Sequence, residues 1–201
     1  TCIKEEVPAI LCRLLRFDDT FVQVHGCLAL REASAKFVEN KGLSILFSIS
    51  PRSEMELKLE IAACLKNISL SDVNKVYILK QHGLPIVTDL TRSENNTLAH
   101  NACGIIANLA EIPSKRKEMI TDGILHHIKF TLRSNCVEVQ RESLRALSNL
   151  SSDFECIISI TESGLLSPLV KSSPNSLCKR FSAMAISNLA TNRKIHSRLV
   201  E

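Results

Sequence analysis

Four asparagine residues recur at an almost constant spacing along the 201-residue chain. Asn67, Asn108, Asn149 and Asn188 each stand just before the last isoleucine or leucine of an apolar run, at intervals of 41, 41 and 39 residues. Asparagine is a poor residue for the interior of a helix, because its amide competes for nearby backbone groups. A side-chain amide can donate and accept hydrogen bonds at the same time, so this row of residues offers recognition of polar groups.

Residues that could carry catalysis or hold a metal ion form no comparable pattern. His126 and His127 are adjacent and fall on different faces of a helix, which argues against a shared metal site with Cys136. The sequence contains no phosphate-binding loop and no HExxH or GxSxG motif. We therefore predict a protein that is not an enzyme and that needs no cofactor and no metal ion.

Composition and charge argue against several further classes of protein. Tryptophan is absent and aromatic residues make up only 4% of the chain, which leaves few platforms for stacked bases, so we expect no nucleic-acid partner. The formal charge of +4 is uneven, because residues 1–128 hold 15 basic and 15 acidic residues, whereas residues 129–201 hold 10 and 6. No stretch of about twenty apolar residues occurs, so we expect membrane attachment only through a segment outside this chain.

The eight cysteines are spread along the chain without a CxxC pair. Cys27, Cys64 and Cys103 lie inside apolar helical runs, where a free thiol behaves as a small hydrophobic side chain. We therefore expect eight free thiols in a protein of a reducing compartment, and predict a cytoplasmic location.

A second marker with the same period indicates which elements position the asparagines. Gly42, Gly83, Gly123 and Gly164 each precede an apolar run, at intervals of 41, 40 and 41 residues. Glycine after the last turn of a helix supplies the left-handed residue that ends it, and the apolar run begins the next helix. Each period thus predicts a short helix before the glycine, a second helix after it, and a longer third helix that ends at the asparagine.

The third helix is predicted to be amphipathic. Leu144, Leu147 and Leu150 share one face, while Glu142, Arg145 and Asn149 share nearly the opposite face. The asparagine is therefore expected to point away from the core. No alternation typical of strands is present, so the predicted fold class is all-α.

Three helices in about 40 residues, with a glycine after the first and ALSNLS closing the third, resemble the armadillo repeat. The resemblance implies a right-handed α-solenoid of about five three-helix repeats in a single domain, residues 1–201. The predicted units are 1–34, 35–70, 71–111, 112–152 and 153–191, with the start of a sixth at 192–201. Since the chain begins and stops within a repeat, we expect a fragment of a larger protein.

In the armadillo family the third helices line a concave groove, and the asparagine ladder resembles a set of clamps for an extended peptide. A second interpretation stays open, in which each asparagine satisfies helix-end carbonyls or bridges neighbouring repeats. Nuclear-import adaptors, which resemble this architecture, carry Trp four residues before the asparagine, where this chain has Ala63, Gly104, Arg145 and Met184. The candidate partner-binding residues are Asn67, Asn101, Asn108, Arg141, Glu142, Arg145, Asn149, Arg180, Phe181, Met184 and Asn188.

The last two complete units predict the chemistry of the partner. Their third helices bring Arg141, Arg145 and Arg180 together with Phe181 and Met184. Because arginine is enriched at interface hot spots, we expect a partner segment with acidic residues next to a bulky apolar one. In the alternative interpretation, a sixth repeat covers Phe181 and Met184.

The resemblance implies a monomeric, non-catalytic scaffold or adaptor that binds an extended or helical segment of a protein partner through the concave face. A chain of little but such units is similar to the armadillo-repeats-only adaptors of apicomplexan parasites. Those adaptors are acylated at the N terminus and hold partners, including an unconventional myosin, on the cytosolic face of a secretory organelle. The alternatives are the substrate-recognition module of a larger enzyme such as a ubiquitin ligase, and a nuclear transport adaptor.

Overall fold

The computed structural model describes residues 9–30, 42–172 and 176–191, and every regular element in these ranges is a helix. This confirms the predicted all-α class. The chain packs as two compact units, Thr1–Leu90 and Thr91–Glu201. The predicted single run of repeats through residues 1–201 stays a prediction. The predicted end of the first repeat at 31–34 and the start of a sixth at 192–201 lie outside the described residues.

The first unit is built from short helices around an aliphatic core. Its helices are α1 (9–14), α2 (Thr20–Leu30), α3 (Gly42–Ile49), α4 (Met55–Ile68), α5 (Asp72–Lys80) and α6 (Gly83–Leu90). A short 3-10 helix, Ser50–Arg52, leads from α3 towards α4. Helix α2 packs against α4, and Leu30, Ile61 and Leu65 are fully buried.

The second unit contains three of the predicted third helices. Its helices are α7 (Asn96–Leu109), α8 (Arg116–Thr121), α9 (Ile124–Thr131), α10 (Val137–Ser151), α11 (Phe154–Glu162), α12 (Leu166–Ser172) and α13 (Lys179–Ala190). Helix α10 packs along both α7 and α13, and its leucine face, Leu144, Leu147 and Leu150, is fully buried. Residues 112–152 show the predicted order of short helix, glycine, second helix and long third helix.

The ends of these helices follow from local side-chain chemistry. The side chain of Asn95 accepts hydrogen bonds from the backbone N–H groups of Thr97 and Leu98 and so caps α7. Asp153 caps α11 in the same way, accepting from the N–H of Glu155 at 3.0 Å. These caps fix where the third helix of one repeat and the first helix of another begin.

The glycine markers have two different roles. Gly123 (φ 85°) and Gly164 (φ 73°) adopt the predicted left-handed conformation between helices. The same prediction is wrong for Gly83, because His82 takes the left-handed conformation (φ 55°) and Gly83 begins α6. Gly83 lacks room for a side chain, since a β-carbon there would lie 2.9 Å from the carbonyl oxygen of Ile78 and against the ring of Phe47.

All seven cysteines in the described ranges are free thiols, as predicted. Burial raises the pKa of Cys27 to about 12 and the pKa of Cys103 and Cys156 to about 11. These three thiols are therefore almost entirely protonated at neutral pH, and a protonated thiol is a poor nucleophile. Cys136, which precedes α10, is half-buried instead.

We expect the native protein to show slow thiol chemistry at its buried sites. With Ellman's reagent at about pH 8, Cys136 should react faster than Cys27, Cys103 and Cys156, because attack needs an accessible thiolate. In denaturant without reductant, all eight cysteines of the chain should titrate. A denatured count well below eight would contradict the prediction of free thiols, and equal native rates would contradict the effect of burial.

No helix in the described ranges combines the length and the apolar content that a membrane crossing requires.

Candidate partner-binding site

The candidate site lies on the third helices of the second unit. Helices α7, α10 and α13 occupy equivalent places in consecutive periods, and α10 lies between the other two. Asn108, Asn149 and Asn188 lie near the ends of these helices and so bring the predicted ladder together. Asn101 is half-buried on α7, whereas Asn67 is half-buried on α4 and belongs to the first unit.

Two of the asparagines form hydrogen bonds between neighbouring third helices. The Nδ2 group of Asn149 donates to the backbone carbonyl of Ala107 at 3.0 Å. The Nδ2 group of Asn188 donates to the carbonyl of Ser148 and to the hydroxyl of Ser151, both at 3.1 Å. Each bond reaches back by about one period, so these amides bridge neighbouring repeats as the second interpretation expected.

The bridging bonds use only part of each amide. Asn149 and Asn188 are half-buried, and their side-chain oxygens accept no hydrogen bond from the residues that the structure describes. An amide oxygen has two lone pairs and can accept from a peptide N–H. The geometry therefore leaves room for ligand binding beside the structural role.

Asn108 has a different environment, because Arg145 covers it. The Nη2 group of Arg145 donates to Oδ1 of Asn108 at 2.8 Å and to the carbonyl of Gly104 at 3.1 Å. Nη1 donates to Glu111 at 3.1 Å, and Nε donates to Glu142 at 2.9 Å. We call these five residues the Arg145 brace, and they join α10 to the end of α7.

Two candidate residues on the outer faces of α7 and α10 are buried, which helical periodicity did not predict. Asn108 is only 4% exposed and Glu142 only 5% exposed, although both were expected to point away from the core. Arg145 covers Asn108, and Arg145 and Arg141 close over the carboxylate of Glu142, Arg141 at 2.8 Å. The outer face of one third helix is therefore partly enclosed by side chains of its neighbours.

The charge of Glu142 depends on these two arginines. Burial by itself would raise the pKa of Glu142, but the charges and hydrogen bonds of Arg145 and Arg141 outweigh it, so its pKa lies below the ordinary value. Glu142 is therefore ionised at neutral pH and balances part of the positive charge of α10. Its place in the brace makes it a structural residue first.

The start of α13 presents the remaining candidate residues more openly. Arg180 is exposed, and its guanidinium carbon lies 5.8 Å from the centroid of the Phe181 ring. Phe181 is half-buried, while Met184, one turn further along, is 43% exposed. Arg141 on α10 keeps 36% of its side chain exposed.

The basic run at residues 115–117 has structural partners that the sequence did not predict. Arg116 donates to the carbonyl of Ala110 at 2.8 Å and to that of Glu111 at 3.3 Å, which satisfies groups at the end of α7. Lys115 and Lys117 form ion pairs with acidic residues at 118 and 155. The position of Arg116 shortly after the predicted end of a helix could have indicated this role, because basic side chains there can bind the last carbonyl groups of the helix.

The sequence matches no family model. It is 26% identical over 213 residues to vacuolar protein 8 of Schizosaccharomyces pombe, a match that covers 99% of this chain and 38% of that protein. A match to vacuolar protein 8 of Saccharomyces cerevisiae is 29% identical over 107 residues and covers 49% of this chain and 18% of the relative. The chain thus spans well under half the length of these relatives.

Two solved structures with a similar helical arrangement are designed armadillo repeat proteins. One designed armadillo repeat protein is 22% identical, with a TM-score of 0.90 over 97% of this chain and 87% of its own. A second, in complex with the peptide (KR)4, is 23% identical, with a TM-score of 0.88 over the same shares of the two chains. These likenesses show the fold. Together with the period of the sequence and the three-helix order of residues 112–152, they show that the chain has the armadillo-repeat fold.

Proposed function

We propose that the chain is a non-catalytic protein-binding scaffold that holds an extended segment of a partner across α7, α10 and α13. The observation that carries this proposal is the fixing of the Asn149 and Asn188 amides by bonds to the preceding helix, with their oxygens left as acceptors. Acceptors held in place before binding lose little conformational entropy when a peptide N–H reaches them. The other proposed contacts on these helices are Asn101, Arg141, Arg180, Phe181 and Met184. Asn67, which belongs to the first unit, stays a separate prediction.

The finer parts of the function are supported by the relatives rather than by the fold. The name of the two yeast proteins refers to the vacuole, which supports a scaffold that works at the cytosolic face of an organelle membrane. Attachment would then use a segment outside residues 1–201. A motor such as an unconventional myosin as partner, and a monomeric state, stay predictions from the family resemblance.

A basic cargo is not the expected partner. One designed neighbour is in complex with (KR)4. In this chain, however, one of the positions where import adaptors carry Trp is filled by Arg145, which covers Asn108, while Arg180 on α13 stays exposed. Like charges facing each other across an interface cost affinity, so import of basic cargo is disfavoured.

The proposal is tested by selecting peptides on the intact chain. The 201-residue chain is immobilised and a random twelve-residue peptide library on phage is selected against it. Enriched peptides should be displaced by their free synthetic forms. If no peptide is enriched over a heat-denatured control, the proposed scaffold function is wrong.

Replacing Asn149 and Asn188 together by Ala should weaken binding of an enriched peptide about tenfold or more, or roughly 1.4 kcal/mol, because two fixed acceptors are lost. Each replacement also removes a bridging hydrogen bond, with an expected loss of about 0.5–1.5 kcal/mol of stability. Peptide titration and urea unfolding measure the two effects separately. Asn135→Ala, in the exposed turn before α10, is the matched control and should change neither. If the double variant binds the peptide with unchanged affinity, the two asparagines only bridge neighbouring helices and do not contact the partner.

A further inference from the structure

We propose that the partner segment is acidic and carries a bulky apolar side chain. It docks on a basic and apolar patch at the end of the site that α10 and α13 form. The patch consists of Lys179, Arg180, Phe181 and Met184 on α13 and of Arg141 on α10, whose charge is partly balanced by Glu142. This inference rests on the proposed scaffold function and adds the chemistry of the partner. Three features of the chain support it: the sign of the charge, the exposed apolar side chains, and the closure of the site between α7 and α10.

The charge of this end of the chain is entirely positive. No acidic residue occurs between Glu162 and Glu201, and Lys171, Lys179 and Arg180 are the basic residues of this stretch within the described ranges. Arg141 belongs to α10, which packs along α13. The positive end of the α13 dipole lies at the start of that helix. Carboxylates are the complementary charge.

The apolar part of the patch favours a peptide over a nucleic acid. Phe181 lies beneath Arg180, and Met184 is 43% exposed one turn further along. Methionine adapts its shape to an incoming apolar side chain, so the pair can receive a leucine or a phenylalanine. Phe181 is the single aromatic residue of the patch and is half-buried, which leaves a poor platform for stacked bases.

The Arg145 brace limits acidic docking to this end of the site. Arg145 and Met184 occupy equivalent positions in consecutive repeats, because each stands four residues before the asparagine of its third helix, Asn149 or Asn188. The guanidinium of Arg145 is compensated by Glu142 and Glu111 and covers Asn108. Between α7 and α10 the face is therefore closed and balanced in charge, whereas the start of α13 offers cations beside open apolar surface.

The test measures binding of labelled synthetic peptides to the intact chain by fluorescence anisotropy. The peptides are (EL)4, (EG)4 and (KR)4, at about 50 mM and 200 mM salt, because steering by charge weakens as salt rises. We expect (EL)4 to bind about tenfold or more tightly than either of the others. Met184→Ala should weaken (EL)4 more than (EG)4.

Charge reversal supplies the matched pair of variants. Arg180→Glu should weaken the binding of (EL)4 about tenfold. It should also slow the association of (EL)4 at low salt, because attraction between opposite charges speeds the diffusional encounter. Arg133→Glu makes the same change of charge at an exposed residue in the turn before α10 and should alter binding by less than about twofold. Both residues are exposed, so neither change should disturb folding.

Several outcomes would overturn the inference. Equal binding of (EL)4 and (EG)4, or equal losses in the two charge reversals, would indicate diffuse attraction without a patch. Tighter binding of a single-stranded oligonucleotide or of vesicles containing phosphatidylserine would assign the charge to a different class of ligand. If the phage library yields peptides that depend on Asn149 and Asn188 but lack acidic residues, the acidic partner is wrong and the scaffold function stands.

Discussion

Replacing Arg145 by Met is expected to lower the free energy of unfolding by about 2–4 kcal/mol, because the change breaks a mostly buried ion pair from one side. Methionine keeps the apolar stem but removes the hydrogen bonds that Arg145 donates to Glu142, Asn108 and the Gly104 carbonyl. The guanidinium side chain is 21% exposed, so the effect falls short of that of a fully buried pair. Urea unfolding of parent and variant measures it.

The dependence of this loss on pH identifies its origin. The pKa of Glu142 is below its ordinary value of 4.5 in the folded protein. A carboxyl group of this kind stabilises the fold above its unfolded pKa, and that contribution is lost as the pH falls through the folded pKa. The difference between parent and Arg145→Met should therefore be full at about pH 7 and shrink below pH 4.5. A difference that is constant with pH would contradict the ion-pair explanation.

Arg141→Met is the matched control for the brace. Arg141 donates to the same carboxylate, at 2.8 and 3.2 Å, but its side chain is 36% exposed and has no bond to α7 among the described residues. We expect it to cost about 1 kcal/mol or less. Arg145→Glu would bring a third carboxylate close to Glu111 and Glu142 and would disturb folding. Charge steering is therefore better tested at Arg180.

The period of the sequence was sufficient to predict the class of fold and most of the helices. The run TLAHNACGIIANLA, residues 97–110, was predicted as a third helix, and the structure has α7 at Asn96–Leu109. A repeat makes such predictions robust, because the same apolar spacing and the same turn residues occur several times and support one another. The leucine face of α10 followed from spacing alone.

The polar side of the site could not be predicted in the same way. Helical periodicity treats each helix by itself, whereas the bonds of Arg145 to Gly104 and of Asn149 to Ala107 join residues 41 and 42 positions apart. Whether an arginine on an outer face meets solvent, a partner or the preceding helix depends on how closely the third helices pack. That spacing is a property of the tertiary structure, so the burial of Asn108 and Glu142 was missed.

Gly83→Ala should destabilise the first unit by about 1–3 kcal/mol, because an added methyl group has no space and its neighbours must shift. The β-carbon would meet the Phe47 ring and, at 2.9 Å, the carbonyl oxygen of Ile78, which is backbone and cannot move aside as a side-chain end can. Helix propensity alone predicts the opposite, a gain of up to about 1 kcal/mol from alanine in a helix. Thermal or urea unfolding decides between the two signs.

Gly123→Ala separates crowding from backbone strain in this comparison. Nothing lies within 4 Å of a β-carbon at Gly123, but its φ of 85° is left-handed, so the cost should be about 1 kcal/mol and come from conformation alone. Adding Phe47→Leu to Gly83→Ala should recover part of the loss, since the ring is one of the two obstacles, while the same change beside Gly123→Ala should recover nothing. If Gly83→Ala proves as stable as the parent, the close packing of α6 is looser than the structure shows, and the glycine at this period is kept for its flexibility instead.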